Sequence, residues 1–401
     1  MSPTLVWVMN CGSSSVKFQL TDPDTGAAVC KGLAERLGTT DAQLTLDLPG
    51  GRQVHPVKPG SAEQAIRMII ARLSAEQGLL DRVSAIGHRV VHGGETFTRP
   101  TRLDAGVLQQ IRDCCSLAPL HNPANLQGIE LMQAAFPGLP QVAVFDTAFH
   151  QTLPAHAFLY ALPWGLYSDH RIRRYGFHGS SHQFITEETA RRLGKPVSEV
   201  SLVSVHLGNG CSATAVQSGQ SVDTTMGLTP LEGLVMGTRS GSLDPGILLH
   251  LQRQLGYSVE DVDRLLNKES GLKGISGLSH DMRTLTEAAE AGHERAQLAI
   301  EIFCYQAAKQ IAGLMLAASP LDALVFTGGI GENAAGIRAR ILGWLAPLGY
   351  ELDPGLNDNA GRSTQGRITK ANCPLALVVP TNEEWLIARE TRNLLQEEAQ
   401  A

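Results

Sequence analysis

A chain of 401 residues with 43% hydrophobic and 18% charged content is long enough for two packed cores and is neither fibrous nor disordered in composition. A net charge of -6 excludes the basic stripe of a nucleic-acid binder, while leaving room for single arginines that hold small anions. Seven cysteines without a CxxC pair read as reduced thiols, and neither a secretory signal nor a membrane span is visible, so a cytoplasmic protein without membrane or nucleic-acid partners is expected.

In chain order, alternating apolar runs predict strands at 5–10, 16–21, 43–48, 53–57, 85–91 and 141–145. Between them fall helices from Ser61, which with Gln64 has capping-box spacing and meets Gly78 as a stop, over 104–115, and over 122–135. Asn122 is the expected N-cap of the last, with Pro123 in its first turn. The second half repeats the scheme, with strands at 202–207, 212–217, 221–223, 323–326 and 375–379. Helices are predicted from Ser180 to about 193, with Ser180 and Gln183 as a capping box, from Asp244-Pro245, and from Ser258. Two more cover 293–318, with Ala296, Ile300, Phe303, Ala307 and Ile311 on one stripe, and 384–397. Strands followed by alternating helices and strands, twice over, give an α/β chain of two domains.

Two Gly/Ser-rich turns are framed alike by apolar strands. The first carries Asn10, Gly12, Ser13, Ser14, Ser15 and Lys17; the second is His206-Leu207-Gly208-Asn209-Gly210. Glycine allows close backbone approach, and exposed N–H groups with Ser hydroxyls cradle an anion. Lys17 adds charge, and Asn10 stands where a metal-bound water is held. Each turn alone reads equally as a hairpin loop; the pair points to a duplicated domain gripping one polyphosphate. Gly329-Ile330-Gly331-Glu332-Asn333-Ala334 follows a strand and matches G-x-G-x-x-A, with Glu351 at ribose-binding distance, so an NAD-dependent oxidoreductase stays open as an alternative.

Arg89 and Arg239 lie in glycine-rich contexts, where a guanidinium fork matches carboxylate or phosphate oxygens; the plainer reading is a surface ion pair. Asp146 follows an apolar strand, and Glu383 and Glu384 precede the last helix, placing all three to face metal or substrate or simply to cap. His178 falls at a helix N-terminus, where anions are favoured. Its four-residue spacing to His182 raises zinc, against which the missing HExxH glutamate counts. His121 and His150 read equally as capping or core residues.

Nine segments in order (MNCGSSSVKF, GHRVVHGGE, LHNPANL, VFDTAFHQTLP, RRYGFHGSSH, HLGNGCSATAV, MGTRSG, FTGGIGEN and TNEEWLIARET) resemble the acetate kinase family nearly end to end. The resemblance implies two duplicated domains of the actin-like ATPase (ribonuclease H-like) type with a nucleotide cleft between them. The first would be 1–150 with the returning helix 385–401, the second 151–384. It also implies a homodimer and Mg²⁺-dependent phosphoryl transfer between ATP/ADP and acetate, Mn²⁺ being a possible substitute metal. By the same resemblance Asn10 and Glu383 match metal ligands, and Arg89, Asp146, His178 and Arg239 match the catalytic set. Lys17, Ser13, Ser15, His206, Leu207, Gly208, Asn209, Gly210, Asp281, Met282, Arg283, Gly329, Ile330, Gly331, Glu332 and Asn333 match nucleotide contacts. Val91, Leu120, His121, Phe177 and Pro230, with Arg89, match the acetate pocket. Ser242 stands where the family usually has Asp, and Trp385 where it has a smaller apolar residue. Propionate or butyrate kinase of the same family remains an alternative, as does an Hsp70-like ATP switch without substrate arginines.

Overall fold

In the computed structural model, which describes residues 4–400, all of β1 (Leu5–Cys11) except Asn10 is buried, as a central strand covered on both faces must be. Its alternation sorts its side chains into two cores. Leu5, Trp7 and Met9 pack with Ile66, Ile69 and Met132 on one face, from the helices Ala62–Ala75 and Asn122–Ala135. Val6 and Val8 pack on the other, with Val142, Val144, Ile387 and Ala388, under the C-terminal helix Glu383–Gln400. That helix lies so close to the sheet that a Cβ on Gly87 would stand 2.5 Å from the Thr391 hydroxyl, so glycine is required there.

Two compact units divide the chain, one of Met1–Phe149 with Asn382–Ala401 and one of His150–Thr381. The first unit holds an eight-stranded sheet in the order β5-β4-β3-β2-β1-β6-β8-β7. Besides β1, its strands are β2 (Val16–Thr21), β3 (Ala28–Glu35), β4 (Gln43–Leu48), β5 (Gly51–Pro56), β6 (Val83–Val90), β7 (Thr101–Arg102) and β8 (Gln141–Phe145). The second unit holds a five-stranded sheet, β11-β10-β9-β12-β13, made of β9 (Leu202–Leu207), β10 (Cys211–Gln217), β11 (Gln220–Thr224), β12 (Ala323–Thr327) and β13 (Ala376–Val378). In each sheet a first strand pairs antiparallel with the next and parallel with a later one (β1 with β2 and β6, β9 with β10 and β12), and a second parallel pair follows. The run β3-β2-β1-β6-β8 is thus repeated as β11-β10-β9-β12-β13.

Several local expectations change. β3 is absent from the strands predicted above; pairing with β2 and β4 on both sides makes it a strand. Asn122 is not an N-cap: the helix begins on it, His121 is the cap, and the Asn122 amide bonds the backbone of His92 instead. Ser180 is likewise inside its helix, Gly179–Leu193, with His178 as the cap residue. Ser61 does cap its helix, accepting from the Gln64 N–H at 3.1 Å, but the helix closes at Glu76 rather than Gly78. Ser258 and Asp261 form the full reciprocal capping box. The stripe on the helix Glu294–Met315 is buried as expected.

Candidate active site

In the first unit, β6 and β8 are parallel neighbours, so their carboxyl ends emerge together, where ligands of open α/β sheets bind. Arg89 lies near the end of β6 and Asp146 follows β8. The guanidinium donates through Nε to Asp146 Oδ1 at 2.8 Å and through Nη2 to Oδ2 at 2.6 Å, a bidentate fork against a carboxylate that is only 1% exposed. Burial opposes the charge on Arg89, but Asp146, with Glu383 and Glu384 behind it, more than offsets this and holds the guanidinium firmly protonated.

Glu383 opens the C-terminal helix beside this pair. Burial pushes its carboxyl up to about 6, with Asp146 and Glu384 adding and Arg89 and Lys17 opposing. Asn10 and Lys17 face each other across the β1–β2 ladder, and the intervening turn is closed by Gly12 N–H donating to the Ser15 carbonyl at 2.8 Å. Lys17 forms an ion pair with Glu384. Ser13 is exposed on the turn and Ser15 half-buried.

One helix straps these pieces together. Asn125 accepts from the Val91 N–H at 3.0 Å and donates to the Cys11 carbonyl at 2.7 Å, tying the first glycine turn to the end of β6. Asn122 accepts from the His92 N–H at 3.0 Å and donates to its carbonyl at 2.9 Å. Thr147 accepts from the Gly93 N–H at 3.0 Å. Leu120 stands 40% exposed just before His121.

In the second unit, His178 adopts left-handed backbone (φ 55°) at the cap of its helix, a strained conformation of the kind kept where a side chain must be aimed. Its ring stacks on His206 with centroids 4.4 Å apart. Arg239 is fixed by donating to the Pro230 carbonyl at 2.7 Å. A Cβ on Gly210 would lie 3.5 Å from the His178 ring and 3.6 Å from Arg239 Nη1, so the second glycine turn, the imidazole and the guanidinium are immediate neighbours. Phe177 is buried and its carbonyl meets His150 Nε2 at 3.0 Å.

Beside them opens a cavity of about 1270 Å³, whose walls include Gly208, Asn209, Asp281, Met282, Arg283, Gly329, Ile330 and Asn333. Its glycine turn is held from behind: Gly237 N–H donates to the Asn209 carbonyl at 3.0 Å, and a Cβ at 237 would stand 2.1 Å from Asn209 Oδ1. Not every predicted nucleotide residue lines this wall. Gly331 is buried, and Glu332 directs its carboxylate inward, accepting from Gly328 N–H and Thr381 N–H at 3.0 Å each. His206 is engaged through Nδ1 with Ser181 Oγ at 2.8 Å.

Two alternatives lose their footing here. The G-x-G-x-x-A turn is a six-residue helix forming one side of the cavity, and Glu351 is ion-paired with Lys370 at 3.0 Å, so the acidic partner of a dinucleotide site is missing. His182 is committed to Ser204 and Ser212 rather than facing a metal beside His178. Sequence reasoning gave Asn122 only a capping role and gave Asn125, Thr147, Ser181 and Ser212 none. The first two lay within the quoted LHNPANL segment, and their spacing of three along a helix was the available signal for a shared face.

A five-strand unit built twice, with glycine turns and charged side chains at the carboxyl ends of its strands, defines a two-domain protein of the actin-like ATPase fold. Within that fold the match is close: the model described as "Acetokinase family" matches residues 5–389, and the chain belongs to that family. An acetate kinase of Shewanella loihica is 52% identical over 398 residues, covering 99% of this chain and 100% of the relative. One of Deinococcus deserti is 55% identical over 392 residues, covering 98% of each. Among solved structures, a propionate kinase from Francisella tularensis superposes with a TM-score of 0.93 at 47% identity, covering 97% of this chain and 99% of that one. The acetate kinase of Porphyromonas gingivalis superposes with 0.89 at 37% identity, covering 98% and 100%.

Proposed function

We propose that this protein transfers the γ-phosphoryl group of ATP directly and reversibly to the carboxylate of acetate, giving acetyl phosphate and ADP in the cytoplasm. The observation that carries this reading is Arg89: a guanidinium 19% exposed in its side chain, clamped along its Nε–Nη2 edge by Asp146, with its remaining N–H groups left to orient a small carboxylate. The cavity of the second unit, walled by Asn209, Asp281, Arg283 and the turn at Gly329, is the corresponding place for the nucleotide.

Acetate is ionised at neutral pH, so its attack on phosphorus requires no general base. The obstacles are orientation and the charge on the transferring group. Arg89 orients the acceptor, while Arg239 and His178 stabilise the equatorial oxygens of the phosphoryl group. Asp146 takes no proton in this scheme; it holds the Arg89 fork. Val91, Leu120 and His121 of the first unit, and Phe177 and Pro230 of the second, are the residues we assign to the methyl group of acetate.

The oxygen-donor set of the first unit fits Mg²⁺. Asn10 and Glu383 would hold the ion, and the raised Glu383 carboxyl, crowded by Asp146 and Glu384, marks a place where added positive charge is favoured. Among the described residues no three His, Cys, Asp or Glu side chains form a preformed cage, which suits a metal bound through one or two protein oxygens plus phosphates. When bound, the ion would supply positive charge to offset that of the phosphates.

Hydroxylamine trapping of the acyl phosphate, run in parallel with acetate, propionate and butyrate, tests the reading. ATP-dependent hydroxamate with acetate as the preferred acid is expected; none with any acid overturns it. Propionate as the preferred acid, which the Francisella likeness keeps in view, would move the assignment within the family. We also propose a homodimer. The helix Gly246–Leu255 buries none of its residues, and Ile247, Leu249, Leu255 and Val259 are 47–66% exposed, an apolar surface that a second copy would cover.

A further inference from the structure

We infer that Ser212 and His182 are positioning residues that fix the tautomer of His178, presenting an Nε2–H donor to the transferring phosphoryl group. The inference rests on the proposed contact between His178 and that group.

Three buried side chains extend inward from His178. Its Nδ1 lies 2.8 Å from Ser212 Oγ on β10, and the same hydroxyl lies 2.8 Å from His182 Nε2, one helical turn on. His182 Nδ1 lies 3.0 Å from Ser204 Oγ on β9. Ser204, Ser212 and His182 are all 0% exposed, so no water competes for these contacts. Register explains the convergence: Ser212 pairs with His206 and Thr214 with Ser204 across β9 and β10, so Ser204 and Ser212 meet the helix on one face.

A hydroxyl has one proton, so Ser212 donates to one ring and accepts from the other. Two polarities of the whole chain are therefore available. In the outward one, Ser204 donates to His182 Nδ1, His182 Nε2–H donates to Ser212, and Ser212 donates to His178 Nδ1. His178 then carries its proton on Nε2. In the inward one every bond reverses, and a neutral His178 turns a lone pair, not a donor, toward phosphate oxygens.

In a neutral His178 the polarity of this chain decides which ring nitrogen carries the proton. Arg239 Nη1 and the His178 ring flank the same point beside Gly210, and the His206 ring is stacked on His178. His182 itself is kept neutral by burial, with His150 (5.8 Å between ring centres) and His206 adding to the effect. His206 Nδ1 meets Ser181 Oγ at 2.8 Å, and His150 meets Ser221 Oγ at 2.8 Å and the Phe177 carbonyl at 3.0 Å. A carboxylate at the position of Ser212 would favour an imidazolium; a neutral Ser–His–Ser chain selects a tautomer without adding charge.

The test needs one measurement on the unaltered protein and one on variants. With ¹⁵N-histidine labelling, assigned by loss of the signal in His178→Ala, the His178 ring must show a protonated Nε2 and bare Nδ1 at pH 7.5; a protonated Nδ1 overturns the inference. Ser212→Ala is expected to lower kcat about 10- to 100-fold with both KM values within about threefold, and to alter the pH profile of kcat. Ser212→Thr, which restores the hydroxyl, should recover most of the loss. A wild-type kcat and pH profile in Ser212→Ala, or no recovery by Thr when both variants melt like wild type, overturns it. Full activity in His178→Ala would instead remove the underlying role of His178, so the two failures are distinguishable.

Discussion

Asp146 illustrates how geometry selects among roles that a residue type leaves open. A buried carboxylate at a strand end reads as metal ligand, acid/base or cap; two short bonds to Arg89 make it a clamp on a cation. Asp146→Asn is accordingly expected to cut kcat/KM for acetate by about 10²–10³, as an oriented charge-assisted pair is lost, without deleting a limb of the pH–rate profile. Disappearance of a limb in that variant would restore proton transfer to Asp146. Arg239→Ala, which removes the donor to the Pro230 carbonyl and the Met236 thioether, should lower kcat about 10³-fold while the melting temperature moves by no more than a few degrees. An unchanged kcat would remove it from the transition state. A third prediction concerns pH. His88 is 2% exposed, bonds Gln141 at 2.7 Å, and burial pushes it down to about 4. The unfolded chain takes up this proton near pH 6.5 and the folded one only near 4, so the unfolded state holds more protons in between. Stability therefore falls with falling pH across that window, by about 3 kcal/mol from this residue. Calorimetry from pH 7 to 4.5 should show a shallower decline in His88→Gln than in wild type. Arg89 and Arg239 were legible in the sequence because glycines flank them, whereas Asn125 was not: its work is to bond two backbone segments that lie 34 and 114 residues away.

At the level of elements, legibility followed periodicity. β8 announces itself through unbroken burial, β1 through burial broken only at Asn10, the helix Glu294–Met315 through its buried stripe, and Ser258 through its reciprocal cap. β3 escaped because its strand character comes from its neighbours rather than its own residues. His178 likewise holds a left-handed cap that no local rule assigns to histidine. The second glycine turn makes a demand one layer back from the ligand. With Asn209 Oδ1 2.1 Å from where a methyl at 237 would sit, Gly237→Ala must displace the wall of the cavity proposed for the nucleotide. KM for ATP should rise about tenfold or more, equivalent to roughly 1.4 kcal/mol, with KM for acetate nearly unchanged. A selective rise for acetate would separate this turn from the nucleotide.

For the whole molecule, the duplicated strand order was foreseeable from two similarly framed turns, but the surface of Gly246–Leu255 was not, since an amphipathic helix reads as one that covers its own core. Sedimentation should give about twice 42.9 kDa, and Ile247→Asp with Leu249→Asp should shift the protein to monomer. A wild-type monomer would leave the exposed face to another partner. The C-terminal helix has a consequence for biosynthesis. Val6, Val8, Val142 and Val144 are among the early residues translated, yet Ile387 and Ala388, which cover them, are made only after the whole of the second unit. At about 5–20 residues per second the ribosome leaves that sheet face bare for roughly ten to fifty seconds, a window for a chaperone or for aggregation. A chain that ends before Ile387 lacks this cover and keeps an apolar face by which it can be recognised and destroyed.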